Sequence, residues 1–314
     1  LSAAATKPPS DRASHASGRI RRFLLFYIAA ILGGLEVVFG LIEYGGYDFE
    51  PGAMIWIIPF VIPTAVALLW SASEDGKASA REPGQWPRWA LVSLGMFGLW
   101  AGLYFLVGRY TDPARVRTLP AHFEATIPFR TSYALLYVML YPIFLLPFFA
   151  VKDRLAFQRL VAADLLMFAT CSAAFLAVPI AFDRPPLPAA PWDLGTWVLA
   201  LVHGSDPPWN CLPSEHCAAA MVAALATWEC DRKMGTFAFF TAILIGVSTL
   251  FTKQHYLVDV LSGYGVALSI HFALRWSRSF EGETRMGSVV ALFAGESAEP
   301  ERSERSRGPS PRAR

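Results

Sequence analysis

Runs of about 20 apolar residues recur along this 314-residue chain, and few architectures can hold them. A helix needs roughly that length to cross the hydrocarbon core of a bilayer. About eight such segments are read, at 23–44, 53–71, 89–108, 132–150, 160–181, 214–231, 236–252 and 257–276. Pro59, Pro63, Pro142 and Pro147 fall inside them, which membrane helices tolerate better than soluble ones. Composition agrees: 17% of residues are charged and 54% hydrophobic, where a soluble domain carries about 25% charged residues. The expected fold class is therefore all-α, a polytopic membrane helical bundle. The first segment reads as a span rather than a cleaved signal, because it carries Glu36 and Glu43 and no small-residue cleavage site follows it.

Net charge is only +2, so nucleic acid is not an expected partner. Four cysteines, none in a Cys-x-x-Cys pair, exclude a disulfide scaffold and give no sign of zinc or thiol redox chemistry. Cys211 and Cys217 are close enough in sequence for pairing to stay open. Basic residues cluster before the first segment (Arg19, Arg21, Arg22), after the second (Lys77, Arg81, Arg88), after the fourth (Lys152, Arg154, Arg159), between the sixth and seventh (Arg232, Lys233) and after the eighth (Arg275, Arg278). The positive-inside rule then puts both termini in the cytoplasm. The stretch 109–131 departs from it, with Arg109, Arg115, Arg117 and Arg130 on the outer side. A bound anion explains these; weak local topology signals explain them equally well. The run 192–204 is too short to span and reads as a re-entrant or interfacial helix, with Trp192 and Trp197 at headgroup level. The tails 1–18 and 277–314 are polar or Pro-rich and are expected to be disordered.

Ionisable residues are expensive in membrane segments, at about 2.5–3.5 kcal/mol each on insertion scales, yet two groups of them sit at outer helix ends. One is Asp206-Pro-Pro-Trp-Asn-Cys-Leu-Pro-Ser214-Glu215-His216. The other runs from Ser248 through Lys253-Gln254-His255-Tyr256 to Asp259. Ser214 is a good N-cap, which places His216 in the first turn of a helix whose positive end favours an anion. His255 and Asp259 are four apart and share a helix face, so the carboxylate can fix one imidazole tautomer and leave the other nitrogen free as nucleophile or base. A nucleophilic His, an orienting Asp and a second His suit phosphoryl transfer through a phosphohistidine. Arg184, Lys253 and Arg130 are the cations on the same side.

These residues resemble the type-2 phosphatidic acid phosphatase superfamily, which includes lipid phosphatases, vanadium haloperoxidases and sphingolipid phosphotransferases. Pro213-Ser214-Glu215-His216 is similar to its Pro-Ser-Gly-His signature, with Glu for Gly. Ser248, His255 and Asp259 have the spacing of its third signature, with Thr249 for Arg. Arg184-Pro185 fits the end of its first signature, while Ala177 stands where that signature has Lys. His255-Tyr256-Leu-Val-Asp259, the run Asp206 to Asn210 and Ile127-Pro-Phe129 look like the inositol-phosphorylceramide and sphingomyelin synthase-like branch.

The resemblance covers roughly 124–276 and implies an acid phosphatase/haloperoxidase-like core there, preceded by N-terminal helices over 19–123. It implies His255 as nucleophile, His216 as acid, and Arg184, Ser214, Ser248 and Asp259 as phosphate-binding or orienting residues; Lys253, from its place on the same side, is expected either to bind phosphate or to snorkel to the interface. It also implies no metal and no cofactor, membrane lipids as substrates, and a site on the extracytoplasmic face of a bacterial inner or plasma membrane; self-association stays open. Two function classes remain: a lipid phosphatase or phosphotransferase acting on phospholipid or sphingolipid headgroups, and a lipid-binding or transport protein that keeps the fold without the chemistry. Glu36, Asp164, His203 and His271, away from the signatures, are expected to serve helix packing.

Overall fold

The computed structural model describes residues 85–151, 154–189 and 192–277. The spans expected at 23–44 and 53–71, and both tails, lie outside the described residues. Within them the protein is mostly helical. Helix α1 is Gln85–Tyr110, and a loop then leads to a 3₁₀ turn at Thr131–Tyr133, the short α2 (Ala134–Tyr137) and α3 (Leu140–Ala150). Next come α4 (Arg154–Ala177), α5 (Leu194–Ser205), α6 (Glu215–Cys230), α7 (Arg232–Phe251) and α8 (Leu257–Ser277).

Five stretches are long and apolar enough to cross a membrane: Leu91–Tyr110, Thr131–Ala150, Arg154–Ala177, Arg232–Phe251 and Leu257–Arg275. Leu91, Phe105, Leu106, Phe240, Leu261 and Phe272 stand exposed on them. Such side chains are costly against water and at home against lipid tails. The described part is thus an integral membrane bundle. The stretch expected as one helix at 132–150 is broken. Pro142 has no N–H to donate to the carbonyl of Val138, and the chain passes from a 3₁₀ turn through α2 before α3 begins.

Helix α6 is the axis of the bundle, packed by α3, α4, α7 and α8. Its Ala218, Ala219, Ala220, Ala223 and Ala224 are all buried. Small side chains let helix backbones approach closely, which is the main source of helix association where lipid removes the hydrophobic drive. Its 16 residues span only about 24 Å, less than a hydrocarbon core of about 30 Å, so one end stops inside the bundle.

Helix α5 starts at Asp193, whose carboxylate accepts from the Thr196 N–H at 2.7 Å. Gly195 lies against the backbone of Ser132, where a Cβ would clash, and that approach draws α5 into the protein. Trp197, expected at headgroup level, is consequently in the core.

One small piece of sheet departs from the all-helical expectation. β1 (Arg117–Thr118) pairs in parallel with β2 (Ile180–Ala181), with Arg117 opposite Ile180 and Thr118 opposite Ala181. Asn210 bridges to Ile180, so three connecting segments are clipped together over one end of the bundle. Arg115 in the same region donates to the carbonyls of Leu176 and Ala177 at 3.0 and 3.2 Å. A guanidinium at the C-terminus of α4 satisfies orphan carbonyls and the negative dipole end, which accounts for one of the outer arginines without a bound anion.

Candidate functional site

The site is built from two helix ends. The first is the turn from α7 into α8. Lys253 has φ 57°, in the left-handed region that costs a non-glycine residue roughly 1–2 kcal/mol. This conformation closes a Schellman cap: Gln254 N–H donates to Thr249 O at 2.9 Å and Lys253 N–H to Leu250 O at 3.4 Å. The chain therefore reverses sharply and delivers His255 to the start of α8.

The lysine's Nζ donates to the carbonyls of Glu124 and Ile127, the latter at 2.6 Å, and the Glu124 carboxylate accepts from Leu257 N–H at 2.8 Å. Burial pushes the Lys253 ammonium below its ordinary range, and the nearby Glu124 opposes that shift. Lys253, expected to bind phosphate or to snorkel to the interface, here anchors the 124–127 segment over α8. Lys253→Met keeps the stem but leaves two carbonyls without their donor. It is expected to cost about 1–3 kcal/mol, read as a lower midpoint of thermal unfolding in detergent; an unchanged midpoint would show the anchor to be dispensable.

His255 and Asp259 are buried, at 3% and 0% exposure. His255 Nδ1 lies 3.5 Å from Asp259 Oδ2, and the same oxygen accepts from Tyr256 N–H at 2.8 Å, which holds the carboxylate in place. The expected one-turn stacking of this pair is therefore present.

The second helix end is the start of α6. Ser214 caps it, its Oγ accepting from Cys217 N–H at 3.4 Å, and its own N–H donates to Asp259 O at 2.9 Å. That backbone bond ties the two signatures together. Gly263 on α8 rests on the Ser214 carbonyl, and a Cβ there would collide with it. His216 consequently faces His255, with ring centroids 6.0 Å apart and planes at 56°. One phosphoryl group can touch both rings at this separation.

His216 Nε2 lies 2.6 Å from the hydroxyl of Tyr137, and the rings of Trp100, Tyr104 and Tyr137 surround it with centroids at 6.4, 5.8 and 4.6 Å. The Tyr137 hydroxyl is 3.5 Å from Asp206 Oδ2, and Tyr104 donates to Asp206 Oδ1. Arg184 completes the group: its NH2 donates to Asp206 Oδ2 at 3.2 Å and its NH1 to Asp206 O at 3.0 Å. Arg184 is thus joined to His216 through Asp206 and Tyr137.

Ser248 is buried in the last turn of α7, and its hydroxyl donates to Ile245 O at 2.6 Å. Arg130 is exposed. All four cysteines are free, so Cys211 and Cys217 do not pair. Glu215, the residue in place of the signature glycine, is buried with neither carboxylate oxygen hydrogen-bonded among the described residues. Asp164 is buried too, and its Oδ2 finds no helix–helix partner there. His271 lies 3.9 Å from Glu229.

Tyr104, Tyr137 and Trp100 were not legible as site residues, since aromatic residues in apolar segments look like lipid-facing or core bulk. The one hint was the polar run Asp206 to Asn210, which needs partners somewhere: Asn210 Nδ2 donates to Tyr104 O at 2.9 Å and Trp209 Nε1 to Gly108 O at 2.8 Å.

Paired histidines, an acid and a half-buried arginine thus meet at one end of the membrane helical bundle. The model of the PAP2 superfamily matches residues 160–283, which supports that superfamily and with it a phosphatase/phosphotransferase family. No curated protein and no solved structure matches the chain.

Proposed function

We propose that this chain is a membrane-embedded lipid phosphatase or phosphotransferase of the PAP2 superfamily, acting on phospholipid or sphingolipid headgroups at the extracytoplasmic face. The observation that carries the reading is the 6.0 Å approach of the His216 and His255 rings with Asp259 beside the second of them.

His255 Nε2 attacks phosphorus while Nδ1–H points at Asp259, whose charge steadies the imidazolium that forms. His216 protonates the departing lipid oxygen. Water, or an alcohol such as ceramide or diacylglycerol, then attacks the phosphohistidine, with His216 now the base. Arg184 and the N-terminus of α6 below Ser214 offset the charge on the transferring group. Neither Ser248 nor Lys253 contacts phosphate in this scheme.

Tyr137 sets the state of His216. A hydroxyl donating to Nε2 requires the proton on Nδ1, which is buried and without a hydrogen-bond partner among the described residues. Tyr137→Phe is expected to lower kcat by about tenfold to a hundredfold with little change in KM. Equal losses in a fully folded variant's binding and turnover would contradict that role.

A second reading, a lipid-binding or transport protein without turnover, draws on the engagement of Arg184 by Asp206 and on Glu215. One experiment separates the readings. The purified protein is given labelled phospholipids with and without ceramide, and both free phosphate and new lipid species are followed. Phosphate release alone marks a phosphatase, and a new phospholipid marks a transferase. Bound lipid without turnover would overturn the catalytic reading.

A further inference from the structure

Beside the proposed nucleophile stands a residue that the scheme above does not use. Cys211 Sγ, His255 Nδ1 and a carboxylate oxygen of Asp259 all lie within 4.8 Å of one another, and all three residues are buried. Thiolate, imidazole and carboxylate together are the donor set of a borderline-to-soft divalent cation. Asp259 Oδ1 and His255 Nδ1 have no hydrogen-bond partner among the described residues, at 0% and 3% residue exposure. The thiol donates weakly, to Pro208 O at 3.3 Å and to Gln254 O at 3.5 Å. Asp259 Oδ2 remains held by Tyr256 N–H, so the second oxygen is both oriented and free. Tetrahedral zinc keeps its ligand atoms about 3.5 Å apart, so the three need to close by only about 1 Å.

We propose that Cys211, His255 and Asp259 form an inhibitory site for zinc or a similar soft divalent cation, with water as the fourth ligand. The cation displaces the thiol proton to solvent. It takes the Nδ1 lone pair of a neutral imidazole, whose single proton then sits on Nε2. The lone pair that would attack phosphorus is thereby lost, and the Asp259 charge is neutralised. Inhibition rests on the reading of His255 as nucleophile; binding does not.

The test uses the full-length protein in nanodiscs. Cadmium is titrated in, and the thiolate-to-cadmium charge-transfer absorption is followed. The wild type is expected to saturate at one equivalent, and Cys211→Ser to lose the band while Cys171, Cys217 and Cys230 remain. In parallel, Cys211→Ser is expected to keep the metal-free turnover and to need at least about tenfold more zinc for half-inhibition. A wild type without the band, a band that persists in Cys211→Ser, or equal zinc sensitivity of both proteins overturns the site. A Cys211-dependent band in a protein with no turnover toward any lipid would keep the metal site and reject the enzymatic reading. The wild-type titration stands even if the serine variant does not fold.

Discussion

His255→Ala is expected to abolish turnover, lowering kcat on the order of 10⁴-fold or more. The size follows from chemistry. Without the imidazole no covalent phosphoenzyme forms, and only the binding and charge-stabilising parts of the site remain. The variant should still fold, because among the described residues His255 Nδ1 makes no hydrogen bond whose loss strands a partner, and Asp259 keeps the Tyr256 N–H. Rapid acid-free quenching with labelled lipid should trap a phosphorylated wild-type protein and no phosphorylated variant. His216→Ala should instead slow turnover most for lipids with poor leaving groups, since an acid matters in proportion to the basicity of what departs. Full activity in both variants would remove the assignment.

Arg184→Ala is the second large effect, and it acts in two ways. The guanidinium offsets charge on the transferring group, and its loss is expected to cost about 10²–10³-fold in kcat/KM. It also leaves Asp206, whose side chain is 11% exposed, as a nearly buried charge with the Tyr104 hydroxyl as its remaining side-chain donor among the described residues. Breaking one side of a buried pair costs about 3–5 kcal/mol. The two effects are separable. Adding Asp206→Asn removes the stranded charge, so the double variant should regain thermal stability without regaining activity. Recovery of both together would mean that Arg184 serves folding alone.

What could be read from the chain and what could not divide along a physical line. The helix ends at Ser214 and His255 announced themselves, because Pro, Ser, His and Asp are costly inside an apolar run and need a reason to be there. The four-residue spacing of His255 and Asp259 translated directly into a shared face. The break at Pro142 was harder: proline is common enough in membrane helices that its presence does not say whether the chain bends or stops. The left-handed residue at Lys253 carried no signal at all, since glycine or asparagine is the usual marker of that conformation and lysine is not. Tyr104 and Tyr137 were invisible for the opposite reason. Their phenolic oxygens matter only because Asp206 and His216 lie beside them, which is a fact of packing and not of local pattern. Ser248 shows that spacing says nothing about a hydroxyl's partner: it sits where the third signature has its serine, and its proton goes to a carbonyl of its own helix.

The reach of Tyr104, Glu124 and Tyr137 into the site bears on how this protein can be taken apart. The stretch 160–283 that carries the family likeness is not a portable module. Excised or grafted at that boundary, it would leave Asp206 without one phenol, His216 without another, and the start of α8 without the carboxylate that caps it. Shuffling between relatives would therefore succeed only at joints placed upstream of α1, with the aromatic helices inherited alongside the histidines they tune.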